Sequence, residues 1–156
     1  MSDKEKLHFK LGLSRSNTNK DIHFNVYLNS TLQVDSYLNS EANTTQYFEF
    51  DAEIAEGDHE LKVVFLNKES SDTIQDDNGI IVSDLLLNID EIEIDEIELA
   101  TLKWSESVYT PDYPLDYLDE TQKQITSVEN CVNLGWNGTW KLKFQSPFYL
   151  WLLEKF

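Results

Sequence analysis

Basic residues are scarce in this chain. Twelve Lys and Arg stand against 29 Asp and Glu, for a formal charge of −17 over 156 residues. Phosphate backbones are held by clustered cations, and no such cluster occurs, which argues against DNA or RNA as a ligand. Cysteine is scarcer still: Cys131 stands alone, so no disulfide can form within the chain. No stretch approaches the ~20 apolar residues of a membrane span. The N-terminus, MSDKEKLHF, has no apolar run of the kind a secretory signal carries. The expectation is a protein made in a cytoplasm, and sequons at Asn29, Asn43 and Asn137 are taken as incidental.

Motifs of catalysis are missing too. His8, His23 and His59 are isolated from one another, and none forms a spaced ligand pair. No nucleophile motif is present. Cys131 lacks basic neighbours that would lower its pKa, which suits a buried structural thiol. The chain is expected not to be an enzyme.

What is present is β pattern. Hydrophobic content of 40% supports a globular chain, and the length suits one core. Leu7 to Leu13 alternate loosely and fit a first strand. Ile22, Phe24, Val26 and Leu28 recur at period two, as do Leu61, Val63 and Phe65, and each set points to one sheet face. A three-residue loop at Asn29–Thr31 would pair Leu28 with Leu32 and Val26 with Val34. Tyr47 to Asp51 fit a short strand, followed by a turn in which Gly57 supplies a positive φ. Asp77-Asn78-Gly79-Ile80 signals a hairpin. Residues 85–99 read LLLNIDEIEIDEIEL, an alternation with two phase slips, each slip adding one residue as a β-bulge would.

The composition shifts at Trp104. Thr110 to Pro114 must be extended or turning, and Leu118 to Ile125 suit a short helix. Three of the four tryptophans fall in the final block, VNLGWNGTWKLKFQSPFYLWLLEKF. Asn133 to Phe144 suit a hairpin turning at Asn137-Gly138, with Trp140 covering Gly135. Ser146 would cap a final helix that Pro147 opens. That helix is apolar on almost every side, and such helices are normally buried. Strands in series with only terminal helices imply an all-β antiparallel sandwich, jelly-roll-like, over residues 1–103, and a C-terminal extension over 104–156 with an aromatic hairpin and a short helix.

Three segments, FNVYLNSTLQVDS, YFEFDAEIAEGDHELKVVFLN and DLLLNIDEIEI, resemble a jelly-roll carbohydrate-binding module of the calcium-dependent xylan-binding type. In that resemblance Gly57-Asp58-His59 matches a Gly-His-type turn, Asn67 ends the following strand, and Asp84 and Asp90 keep the acidic spacing. Lys68 stands where the family has a metal-binding Asp, and Leu86 where it has Asn. A hard cation wants six or more oxygens, so these departures weaken any such site. The whole chain, with its Leu-Asn-Ile-Asp strand and Gly-Trp-Asn-Gly-Thr-Trp tail, is also similar to small virion proteins of tailed phages.

Asp76, Asp77 and Asp84 offer oxygen ligands to calcium, although Asp77-Asn78-Gly79 also serves turn geometry. The acids of the 90–98 segment alternate with Ile and suit a solvent face better than a catalytic pair. Trp136, Trp140, Phe148, Tyr149, Trp151, Leu152 and Phe156 fill the chain's own core, dock a protein partner, or stack on sugar rings. The leading expectation is a non-enzymatic accessory protein of a phage virion. Its aromatic C-terminus would anchor it to other virion proteins or to a second copy. The alternative is a module recognising a host surface glycan, with or without calcium.

Overall fold

The structure, a computed structural model, describes residues 4–113 and 127–155. Two antiparallel sheets face each other. In chain order the strands are β1 (Lys4–Arg15), β2 (Ile22–Leu28), β3 (Thr31–Leu38), β4 (Gln46–Ala55), β5 (Gly57–Phe65), β6 (Thr73–Gln75), β7 (Ile81–Asp84), β8 (Leu87–Ile94), β9 (Ile97–Glu98), β10 (Ser107–Pro111), β11 (Val128–Glu129), β12 (Asn133–Leu134) and β13 (Gly138–Ser146). Helices α1 (Leu102–Ser105) and α2 (Phe148–Lys155) and a 3-10 turn at Ser70–Asp72 complete the described elements. The first sheet runs β12-β8-β1-β4, with β9 also pairing β8. The second runs β11-β10-β13-β5-β2-β3, and β6-β7 forms a separate hairpin. The antiparallel sandwich expected from the strand pattern is the fold observed.

Alternation decides what is inside. Leu7, Phe9, Leu11 and Leu13 of β1 meet Phe24, Val26 and Leu28 of β2 and Leu61, Val63 and Phe65 of β5 in one core. Ring pairs knit the two layers: Phe24 of β2 meets Phe48 of β4 edge-on at 4.8 Å, and Phe9 of β1 lies 6.0 Å from Phe144 of β13, while Phe9 also stacks on its neighbour in the same sheet, Phe50, at 4.8 Å. Trp140, Leu142 and Phe144 of β13 are fully buried in the same cluster. Strand β13 lies between β10 and β5, so the region expected to be an extension supplies an inner strand of the second sheet.

Several local expectations change. Leu28 pairs with Thr31 across a two-residue turn rather than with Leu32 across three. Asn29 takes the left-handed conformation such a turn demands (φ 57), and Asn tolerates it. A bulge beside Tyr27 then restores the expected Val26–Val34 pair. In the 85–99 segment the first phase slip is a bulge, since Gly12 pairs Glu91 while Leu13 pairs Ile89. The second is a turn. Asp95 and Glu96 both have positive φ, and Ile94 pairs Ile97 across them, so the chain folds back into β9.

The hairpin expected over 133–144 does not form. β12 joins the first sheet through Leu134–Leu87, while β13 belongs to the second, and the chain crosses between layers at Gly135–Asn137. Trp140 therefore sits opposite Val63 and Tyr109, not Gly135. An aromatic does cover a glycine elsewhere: Tyr47 pairs with Gly12, where an added Cβ would lie 3.1 Å from the ring. Ser146 is the last residue of β13 and does not cap α2. Its hydroxyl donates to Glu5 Oε1 at 2.8 Å, and the same oxygen accepts the Phe148 N–H at 2.9 Å. A carboxylate from β1 thus caps the helix. The helix suggested for Leu118–Ile125 lies outside the described residues.

Two outcomes test this packing. Gly138 has φ 154, and a Cβ there would sit 2.4 Å from the Thr110 carbonyl oxygen, so Gly138→Ala should destabilise by more than about 1 kcal/mol in urea unfolding. A chain ending at Gln145 loses the buried Phe148 and Trp151, each of the kind that costs about 3–5 kcal/mol on truncation. Its thermal transition should be broadened or absent by circular dichroism.

Candidate binding trough

The outer face of the second sheet carries the groups that strand alternation turns away from the core. Registers set them in rows. Tyr27 pairs with Lys62, Lys62 with Lys141, and Lys141 with Val108. The next row runs Asn25, Val64, Thr139, Thr110. On the other side Glu60 pairs with Lys143. A central depression of about 560 Å³ is lined by Tyr27, Asn29, Lys62, Thr110, Thr139 and Lys141. It continues one way, past Val64 and Thr139, into a depression of about 490 Å³ that reaches Trp136. The other way it shares Asn29 with one of about 590 Å³ beside Glu60 and Lys143. The first two share Val64, Thr110 and Thr139 and make a trough along β5 and β13, while the third opens beyond Glu60 and is lined also by Asp58, Glu106, Glu154 and the core rings Phe144 and Trp151. The floor of the trough is rigid strand, the kind of support that positions side chains precisely.

Acids crowd the outer face of the first sheet. The first sheet turns Glu49, Asp51, Glu53, Glu91, Glu93 and Glu98 outward, relieved by Lys6, His8 and Lys10. His8 is held between two of these acids, with Nδ1 2.6 Å from Asp51 and Nε2 2.8 Å from Glu49. Hydrogen bonding to Glu49, then to Asp51, raises its pKa. These acids spread over a solvent face, as the alternation of the 90–98 segment implied, rather than pair across one cleft as glycoside-cleaving carboxylates do. On the trough face, Lys62 and Lys141 both lie 3.7 Å from Glu60.

Trp140 and Phe148 are fully covered, and Trp136 and Trp151 nearly so. Trp151 packs on Phe148 and Phe144, at 5.9 and 6.3 Å between ring centroids. Trp136 donates its indole N–H to the Asp112 carbonyl, and its backbone N–H goes to the Tyr109 hydroxyl, which itself donates to the Trp136 carbonyl. Burial pushes the Tyr109 phenol far above its ordinary pKa. Trp140, Phe148 and Trp151 belong to the chain's own core cluster, and Trp136 lies buried beside it at the end of the trough. Leu152 is half-buried against that core, and Phe156 lies outside the described residues. Tyr149 is exposed and bonds Asp95, so α2 is buried on one side only, with Leu150 and Leu153 open to solvent. Cys131 is half-buried, its carbonyl accepting the Trp140 indole N–H.

Asp76, Asp77 and Asp84 do not converge. Asp76 accepts the N–H groups of Asn78 and Ile80 and shapes the hairpin tip where Asp77 is exposed. Asp84 is occupied by the ammonium of Lys68, whose side chain is 1% exposed and which also donates to the Gly135 carbonyl at 2.6 Å. Thr73 donates to the same Asp84 oxygen. An internal cation thus sits on the carboxylate that calcium would need. No group of three or more His, Cys, Asp or Glu suited to a metal occurs among the described residues. The signal was Lys68 itself, a cation inside an acidic pattern.

A second buried acid sits nearby. Burial pushes the Asp72 carboxyl up, but the Glu69 N–H, the Lys20 ammonium at 2.9 Å and Asn19 outweigh it and hold the pKa low. A lowered folded pKa contributes stability above the unfolded value and loses it as pH falls through the folded one. Asp72→Asn should cost roughly 2 kcal/mol at neutral pH and flatten acid unfolding below about pH 4. For His8 the sign reverses: its raised pKa adds stability at low pH that is lost as pH rises through the folded value. His8→Gln should therefore flatten the pH dependence of the melting temperature above about pH 6.5. Because Lys68 holds Asp84, dialysis against a chelator should leave that temperature unchanged, and Lys68→Met should lower it.

No family model matches the chain. No curated protein matches it either. Among solved structures it is similar to one described as "vCBM60 in complex with galactobiose", at 14% identity over 88% of this chain and 97% of that chain, with a TM-score of 0.49. A likeness of that degree carries nothing about ligands.

Proposed function

We propose that this chain is a non-catalytic binding module that takes an extended glycan along the trough of the second sheet. The observation that supports the reading is the trough's lining. It combines one half-buried ring, Tyr27, with hydroxyls of Thr110 and Thr139, the Asn29 amide and the ammonium groups of Lys62 and Lys141. Sugar chains present apolar ring faces edged with hydroxyls, and a ring beside convergent donors and acceptors matches that chemistry. Peptide recognition would instead call for deep apolar pockets receiving anchor side chains. Glycan-array binding should be seen for the full chain and fall at least about ten-fold in Tyr27→Ala. An array with no binder would sink the reading.

A second reading, an assembly component of a virion, draws on the sequence resemblance and on the exposed Tyr149, Leu150 and Leu153 of α2. Contiguous exposed apolar surface marks interaction sites. Since Phe148 and Trp151 belong to the core, deleting the helix would not separate docking from folding. Leu150→Ser with Leu153→Ser leaves the core intact. Light scattering should show the wild-type chain associating and this double variant remaining a monomer. Identical masses would count against assembly through α2.

A further inference from the structure

The centre of the trough holds an unusual charge arrangement. Lys62 and Lys141 are direct cross-strand neighbours, and like charges in that position are destabilising. Both come from a set of only 12 basic residues in a chain of charge −17. Their shared partner is the Glu60 carboxylate, at 3.7 Å from each, beyond hydrogen-bond length. Each ammonium carries three donors, and Glu60 leaves them unspent. Two ammonium groups held on adjacent strands around one carboxylate form a seat for an oxyanion.

We infer that the glycan taken by the trough is acidic, with a pendant carboxylate or sulfate seated between Lys62 and Lys141. Glu60 occupies the edge of that seat as an internal stand-in, and an incoming oxyanion takes over its ammonium partners through shorter, charge-assisted hydrogen bonds. Tyr27, in register with Lys62, supports the sugar ring that carries the anion. The net negative charge does not forbid this. Six of the outward acids lie on the opposite face of the sandwich, with sheets about 10 Å apart, and charges beyond a Debye length of about 8 Å are largely screened at physiological salt; Asp58, Glu106 and Glu154 stand in the depression beyond Glu60, where Lys143 and Lys155 offset them. The inference rests on the glycan reading and narrows it to a ligand class.

The test is affinity electrophoresis and calorimetry on the full chain. The probes are polygalacturonate, its methyl ester, dextran sulfate, neutral xylan and duplex DNA. Polygalacturonate or dextran sulfate should bind, the two arms separating carboxylate from sulfate, and binding should weaken with added salt. Lys62→Gln and Lys141→Gln should each weaken it about ten-fold or more, with unchanged melting temperatures because both side chains lie on the outer face. Glu60→Gln should strengthen it several-fold, a gain that misfolding cannot produce. Neutral xylan bound as well as polygalacturonate, with no effect of either Lys variant, would overturn the acidic ligand and leave the glycan trough standing. Equal retention of DNA would reduce the site to unspecific charge and overturn the inference. Binding of no probe, with an empty glycan array, would overturn both readings.

Discussion

The burial of β13 is the constraint on which the other features depend. This strand inserts between β10 and β5 and puts Trp140, Leu142 and Phe144 into the core from one face. Its other face carries Thr139, Lys141 and Lys143 to the outside of the second sheet. One element therefore closes the core and builds the trough. Its start requires Gly138, pressed against the Thr110 carbonyl, and its end hands the chain to α2, whose first N–H is held by Glu5 of β1. The two ends of the described chain are thus tied by a single carboxylate.

Charge is arranged with comparable economy. Acids gather on the outer face of the first sheet, where water solvates them and where Lys6, Lys10 and His8 relieve the closest neighbours. The few cations elsewhere are placed singly. Lys68 is buried and neutralises Asp84, Lys20 neutralises Asp72, and Arg15 donates to the Ser40 and Lys20 carbonyls beneath the loops. A buried charge persists only when paired and hydrogen-bonded, and among the described residues no buried side-chain polar atom lacks a partner. Lys62 and Lys141 are the contrast, because their carboxylate partner is shared and distant.

Much of the architecture was legible in local pattern. Period-two runs placed β2, β5 and β8 on the correct face, since alternation in an extended chain is geometric and needs no knowledge of neighbours. The Asp-Asn-Gly turn and the positive φ of Gly57 were legible for the same reason. The 133–144 segment was not. Asn-Gly between apolar residues satisfies the hairpin rule, yet Leu134 and Trp140 are claimed by different sheets. The Asp95-Glu96 turn was equally hidden: a bulge and a tight turn both add one residue to an alternation.

What the sequence determined by itself is the class: an acidic, all-β chain without a disulfide, with its apolar faces already assigned. Backbone stereochemistry and side-chain hydrophobicity act over a few residues, and both are written locally. Only the tertiary structure decided the strand order, the inclusion of the aromatic tail within the core, and the meeting of Tyr27, Lys62, Lys141 and Thr110 on one face. Those residues span more than 110 positions of chain. Their proximity follows from which strands pair, and pairing is chosen by the joint burial of the whole core rather than by any one segment.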